Sequence, residues 1–385
     1  MMIPTTETED VALKLLHTAD WHLGRRFPSF DEKHRLTLSR ARLDVLDRIL
    51  QAAHLHAVDA VLCAGDLFDE PNPDREWWSP VAQKLANAPR RVPIFLLPGN
   101  HDPLLPGSVY SPDHPFRRAL PSWAHVVDRD DYSFLLGDGA VLHARPCRSQ
   151  AGHDDLALAL PAREPGDERI RIGMVHGSTF DAVETHFPIA KDAAARRGFD
   201  YLAIGDTHSF RQVPPDGVPP VVYPGTPEPT TFDEPKAGHV VAVLINRARR
   251  VVLHPERVAY WTWSDRTVRS LPELRDLHVA PELVRTVLRL TVDMRLSAAE
   301  LDEAEQILRD LEGSDAVPGR AGILQLDRGG MILDTTDIAA YLAGLPEVLR
   351  AAAERLREQE SGERAEVARA ALLHLYHLAR RAGAA

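Results

Sequence analysis

Five short polar motifs, each set against an apolar run, constrain most strongly how this chain can fold. Asp20-Trp21-His22 comes after Leu13–Leu16, and Gly65-Asp66-Leu67-Phe68-Asp69 after Ala60–Ala64. Gly99-Asn100-His101-Asp102 follows Val92–Leu97, His176-Gly177 follows Ile170–Val175, and Gly205-Asp206-Thr207-His208 follows Tyr201–Ile204. Short apolar runs that stop at turn residues read as buried strands. Between the first two lie Leu43, Leu46, Ile49, Leu50 and Ala53 at helical spacing. Strands alternating with amphipathic helices predict an α/β layer structure. The motifs then lie beyond the carboxyl ends of the strands, where open α/β sheets gather their ligands. The Pro-rich stretches 103–115 and 214–229 read as loops beside that edge.

The residue types in those motifs suit a pair of divalent cations. Asp20 and His22, two apart where the chain leaves the pleat, can turn toward one ion. Asp66 has two oxygens to bridge two ions, Asn100 offers a neutral oxygen, and His176, Asp206 and His208 complete the set. Oxygen and imidazole donors without thiolates suit Mn²⁺ or Fe²⁺ and tolerate Mg²⁺ or Zn²⁺. Two ions about 3.5–4 Å apart would clamp phosphoryl oxygens and supply hydroxide. His101, next to Asn100, is placed to protonate a leaving alkoxide, with Asp69 orienting its ring. His54, His56, His125, His374 and His377 read as surface or packing residues, and Trp77 and Trp78 as packing. Arg25 and Arg26, beside the first motif, read as a solvated pair, with contact to a substrate phosphate as the alternative, and Arg145 and Arg148 read the same way.

At 385 residues the chain is long for one core, so two or three domains are expected. The net charge of −11 argues against a generally basic nucleic-acid surface, although bound cations and a few arginines can supply local attraction. The two cysteines, Cys63 and Cys147, imply no disulfide framework, and Cys63 reads as a small buried hydrophobe. No apolar stretch is long enough to span a bilayer and no secretory signal is evident, so a cytoplasmic protein is expected.

After Val240–Ile245 the pattern changes. Val287–Val292, Ile323–Leu326 and Met331–Leu333 read as strands, with a helix over Ala298–Leu311 capped by Ser297. Two helices follow, Leu345–Gln359 and Glu363–Arg381. Their apolar positions (Leu345, Val348, Leu349, Ala352 and Leu356, then Val367, Ala371, Leu372, Leu375, Tyr376 and Leu378) fit either intramolecular core or a partner's coiled coil. The expected domains are 1–258, 259–344 and 345–385.

Leu15-Leu16-His17-Thr18-Ala19-Asp20-Trp21-His22-Leu23-Gly24, Gly65–Asp69 and Pro98-Gly99-Asn100-His101-Asp102 resemble the calcineurin-like phosphoesterase superfamily. More narrowly they resemble the SbcD-type nucleases of DNA double-strand-break repair, as does Tyr223-Pro224-Gly225-Thr226. The resemblance spans about residues 13–245. It implies a four-layer α/β fold, two sheets flanked by helices, with a small α/β capping domain and C-terminal helices. It puts Asp20, His22, Asp66 and His208 on one metal, and Asp66, Asn100, His176 and Asp206 on the other. His101 takes the place of the catalytic acid and Asp69 that of its partner. Mn²⁺-dependent exonuclease and single-strand endonuclease action on DNA is implied, with an SbcC-like coiled-coil ATPase bound through the C-terminal helices. Pairing of two copies as a homodimer is compatible with that layout. One position departs from the pattern: the usual last motif is Gly-His-x-His, whereas Asp206 stands here in place of the first His. Two other readings share these residues, a phosphodiesterase for nucleotides or small phosphodiesters and a catalytically weakened scaffold protein for the ATPase.

Overall fold

The computed structural model describes residues 10–179, 186–314, 317–333, 346–359, 361 and 364–381. The chain divides into two compact units, Met1–Trp261 and Thr262–Ala385.

The first unit is built on two six-stranded sheets. In spatial order one contains Val251–Arg257, His239–Asn246, Val11–Thr18, Ala60–Cys63, Ile94–Leu96 and Ala124–Val126. The last four run parallel, and His239–Asn246 returns antiparallel beside Val11–Thr18. The other contains Arg211–Gln212, Val221–Tyr223, Tyr201–Gly205, Ile170–His176, Ala140–Ala144 and Tyr132–Leu136. Its four central strands are parallel and its two edges antiparallel.

Each central strand is apolar on both faces, and the two faces go to different cores. Leu13, Leu15, Ala60, Leu62 and Phe95 meet Leu142, Ile172, Met174 and Ala203 between the sheets. On the outer face of the first sheet, Leu16, Val61, Ile94 and Leu96 pack against Val45, Leu46 and Ile49 of helix Glu32–Leu55 and Val81 and Leu85 of helix Arg75–Ala86. Outside the second sheet, Val175, Leu202 and Ile204 pack against Leu156, Leu160 and Ala194. The result is helix, sheet, sheet, helix, the four-layer α/β arrangement expected. Strands buried on both faces read as continuous apolar runs, which is why the sequence marks them so clearly.

Two details differ from expectation. The stretch 214–229 is not all loop, since Val221–Tyr223 pairs in parallel with Tyr201–Gly205. Pro219 and Pro220 stop just before that strand, where a missing N–H costs the ladder nothing. Pro115 opens a short helix, Pro115–Ala119, at N1, where proline is tolerated.

In the second unit, Thr262–Val268, Thr286–Leu296 and Ile323–Leu333 form a parallel three-stranded sheet. Ile323–Leu326 and Met331–Leu333 are thus parts of one strand, read as two because Gly329-Gly330 interrupts the side-chain pattern. Helix Ala298–Glu312 opens on a capping box between Ser297 and Glu300 and lays Leu301, Ala304, Leu308 and Leu311 on the sheet's core. Helices Glu347–Glu358 and Ala365–Arg381 bury Ala353 and Leu372 in that same core, with Leu349, Leu356 and Leu375 packed against it. Ala352 is exposed; the buried alanine is its neighbour Ala353. Leu345 lies outside the described residues. No helix among the described residues is long and apolar enough to cross a membrane.

Candidate metal centre

The carboxyl ends of the two sheets meet. The backbone N–H of Asp206, just past one sheet, donates to both carboxylate oxygens of Asp20, just past the other, at 2.9 and 3.2 Å. His176 Nδ1, from the second sheet, donates to the Ala64 carbonyl of the first at 2.9 Å. All seven residues expected as ligands therefore gather in one place.

The backbone is bent hard to bring them there. Asp20, His22, Asp66 and Asp206 have φ of +55°, +42°, +52° and +106°, conformations that non-glycine residues rarely adopt. Such strain persists only where the surroundings over-determine it. Here Asp20 N–H and His22 N–H are tied to the Gly65 and Asp66 carbonyls at 3.0 and 2.9 Å. Buried Asp102 ties the next two motifs, accepting from Phe68 N–H at 2.8 Å, Gly99 N–H at 2.9 Å and the Tyr110 hydroxyl at 2.7 Å. At Gly65 a Cβ would fall 2.1 Å from His176 Nδ1, and at Gly99 2.1 Å from Asp66 Oδ1, so no side chain fits at either.

Each of the three imidazoles gives its Nδ1 proton to a fixed acceptor. His22 donates to Asp69 Oδ1 at 3.0 Å, His208 to Glu234 Oε1 at 2.6 Å, and His176 to the Ala64 carbonyl. The neutral ring then carries a bare lone pair on Nε2. Those lone pairs face one another or other acceptors: His22 Nε2 lies 3.0 Å from His208 Nε2, and His176 Nε2 lies 2.8 Å from Asn100 Oδ1. Asp66 Oδ2 sits between the two groups, 3.6 Å from His22 Nε2 and 3.4 Å from His176 Nε2. Acceptors do not attract one another; they converge where a cation or proton holds them. The donor set fits divalent metal ions. Among the described residues three tight trios form: Asp20, His22 and His208; Asp20, Asp66 and His176; and His22, Asp69 and His101. Asp206 Oδ1 is 4.0 Å from His176 Nε2.

The titration behaviour points the same way. Burial raises Asp20 to about 6, with His176 and His208 opposing it. Burial likewise works upward on Asp66, but His176 and His22 prevail and hold it below the usual carboxylate range. Burial works downward on His176, yet Asp66, Asp20 and Asp206 lift it well above an ordinary imidazole. His208 is raised too, where Glu234 and Asp20 outweigh burial. Of the three imidazoles only His22 is pulled down, to about 4, chiefly by burial. Two buried carboxylates, Asp20 and Asp66, with half-buried Asp206 beside them, demand positive charge at this spot, and protons or metal ions can each supply it.

His101 lies at the rim, its side chain 42 % exposed. Its N–H donates to Asp66 Oδ1 at 2.9 Å, and its ring stands edge-on to His22 with centroids 4.7 Å apart. Asp69 does hold this ring, though through its backbone: Nδ1 of His101 donates to the Asp69 carbonyl at 3.2 Å, while the carboxylate is 3.9 Å away. The Asp69 carboxylate serves His22, and Arg25 donates to it at 3.3 Å, so Arg25 is not simply solvated.

Three contributors were not legible in the motifs. Glu234 backs His208, but nothing in Thr230-Thr231-Phe232-Asp233-Glu234 distinguishes it from the neighbouring Asp233. Tyr223, singled out only by resemblance, accepts from Thr179 N–H at 2.8 Å and donates to the Gly177 carbonyl at 3.2 Å, bracing the loop after His176. Arg42 is buried behind Asp20–His22. Its signal is an arginine on the stripe that buries Leu38, Val45, Leu46 and Ile49. Trp77 and Trp78 pack against the outer core, in line with their reading as packing residues, and Cys63 and Cys147 are buried free thiols.

Residues 13–210 match the calcineurin-like phosphoesterase family. The chain belongs to that family. Its members are metal-dependent hydrolases of phosphate esters, in keeping with the donor set. The chain is 26% identical over 399 residues to the uncharacterized metallophosphoesterase YhaO of Bacillus subtilis, a match covering 91% of this chain and 95% of that protein. It is 40% identical over 174 residues to the SbcD component of the SbcCD nuclease of Rhodobacter capsulatus, covering 43% of this chain and 39% of the relative. It is 24% identical over 234 residues to the DNA double-strand break repair protein Mre11 of Methanopyrus kandleri, covering 58% and 51%. The two nuclease relatives are thus matched over less than two thirds of their length.

Proposed function

We propose that this phosphoesterase is a two-metal-dependent DNA nuclease, exonucleolytic and single-strand endonucleolytic, acting in double-strand-break repair with an SbcC-like ATPase. The observation that carries the chemistry is the convergence of three Nε2 lone pairs and two further carboxylates, Asp20 and Asp206, around Asp66. What favours DNA is the narrow likeness of residues 15–24 to the nuclease branch, together with the relatives named as SbcCD nuclease and Mre11.

In this reading Asp20, His22, Asp66 and His208 hold one ion, and Asp66, Asn100, His176 and Asp206 the other. Bound there, divalent ions supply the Lewis acidity that activates water and neutralises phosphoryl oxygens. Asp69 and Glu234 fix the rings of His22 and His208. His101, its Nδ1 proton given to the Asp69 carbonyl, has Nε2 left to carry a proton to the departing sugar oxygen. Arg25, held by Asp69 beside the centre, adds positive charge for a phosphate. Mn²⁺ is the ion we assign, because Asp206 makes one end rich in hard oxygen donors. Exposed Val348, Val367 and Leu378 leave apolar surface on the terminal helices, which supports the coiled-coil ATPase as the partner there.

The test is to incubate the purified chain and Mn²⁺ with labelled linear duplex and single-stranded DNA, and in parallel with bis-p-nitrophenyl phosphate. Cleavage of DNA that stops on chelation is the expected result. Cleavage of the small diester alone would make this a small-molecule phosphodiesterase. Cleavage of neither, with metal bound, would leave a scaffold protein.

A further inference from the structure

Arg42, on helix Glu32–Leu55, is 1 % exposed, and burying a guanidinium is costly unless its donors are met. They are met, though by neutral oxygens. Nε donates to the His22 carbonyl at 3.3 Å, and NH1 to the Glu228 carbonyl at 2.5 Å. NH2 reaches the Asp20 carbonyl and Thr226 Oγ1 at 3.3 Å each, and also the Trp21 carbonyl. Among the described residues no carboxylate lies within ion-pair distance of it. A buried arginine spent on three consecutive carbonyls is not an ion pair stabilising the core; its contacts are those of a clamp.

The clamped segment is the one that carries two of the proposed ligands in left-handed backbone. The N–H groups of Asp20 and His22 are held from the other side by Gly65 and Asp66. Thr226 Oγ1 donates to the Asp20 carbonyl at 2.8 Å, so hydroxyl and guanidinium share that oxygen and touch each other. The loop is gripped on both its donor and acceptor sides, which is what a strained conformation needs to persist.

We propose that Arg42 is a positioning residue for the metal centre. Its fork of donors fixes the Asp20–His22 loop so that both side chains aim at one ion. This rests on the two-metal reading above. A lysine keeps the charge but is a point donor on a flexible stem, and cannot span three carbonyls. Asn100, His176 and Asp206 hang on other loops, so the effect should fall on one ion of the two.

The experiment is a Mn²⁺ calorimetric titration of the full-length metal-free chain and its R42K variant, with thermal melting of both. R42K should bind one ion as the wild type does and the other about tenfold or more weakly, the usual cost of losing a group that orients metal ligands. Should R42K fail to fold, T226V carries the same test, because it removes the hydroxyl that touches the Asp20 and Glu228 carbonyls and accepts from Arg42, and should weaken the same single ion. Two ions bound with wild-type affinity by the folded variant overturn the proposal. Equal weakening of both ions alongside a lowered melting temperature also overturns it, since that is what a merely structural arginine would do. A wild-type chain that binds no Mn²⁺ instead removes the metal-centre reading itself.

Discussion

His22, His176 and His208 are each held from behind by a group that accepts hydrogen, and this decides what their front nitrogens can do. Asp69, the Ala64 carbonyl and Glu234 fix the tautomers, so Nε2 is the nitrogen left free to take a metal in every case. His101 is placed differently, at the rim and against a backbone carbonyl. H101A should therefore cut turnover by about 10²–10⁴-fold while both Mn²⁺ ions stay bound, as single-turnover assays and metal analysis would show. Loss of an ion would make His101 a ligand instead. Protons compete for the same site. Asp20, His176 and His208 all hold protons more tightly than their free counterparts, and a metal ion must displace them. Mn²⁺ affinity should fall as pH drops through about 6 and rise above it, with protons released on binding. Titration calorimetry in buffers of different ionisation enthalpy measures both; an affinity independent of pH would contradict the assignment.

At the scale of elements, the strands that carry ligands were legible because each is buried on both faces and ends at a glycine or an acid. Ala60–Cys63 and Tyr201–Gly205 are uninterrupted apolar runs. The antiparallel edge strand Tyr132–Leu136 was not, since it alternates buried and exposed side chains and carries no motif. Glu234 was hidden for another reason: its role depends on a loop folding back onto His208, which no local spacing records. Arg42 left a trace, a charge on a buried stripe, that only contacts could interpret. The tightness of the loop ends yields a prediction. In G99A the new methyl would sit 2.4 Å from the Asp66 backbone nitrogen as well as against its carboxylate. Stability should fall by about 1–3 kcal/mol, and the bridging carboxylate should be displaced. Denaturant unfolding and Mn²⁺ stoichiometry check the two parts; a stable variant binding two ions would show that the approach can relax.

For the whole molecule, two units with separate cores suggest separable roles. The centre lies wholly within Met1–Trp261, and the terminal helices complete a core within Thr262–Ala385. L372A, which empties a buried position on the last helix, should destabilise the second unit by about 2–5 kcal/mol. Mn²⁺ binding by the first unit should not change. Calorimetric melting with and without Mn²⁺ reads both, and loss of metal affinity in this variant would contradict the separation. The most direct measurement of the central claim is anomalous diffraction from crystals soaked in Mn²⁺. Two peaks about 3.5–4 Å apart are expected, one on each side of the Asp66 carboxylate. One would lie against His22 and His208, the other against His176, Asn100 and Asp206. A single peak, or peaks away from Asp66, would contradict that claim.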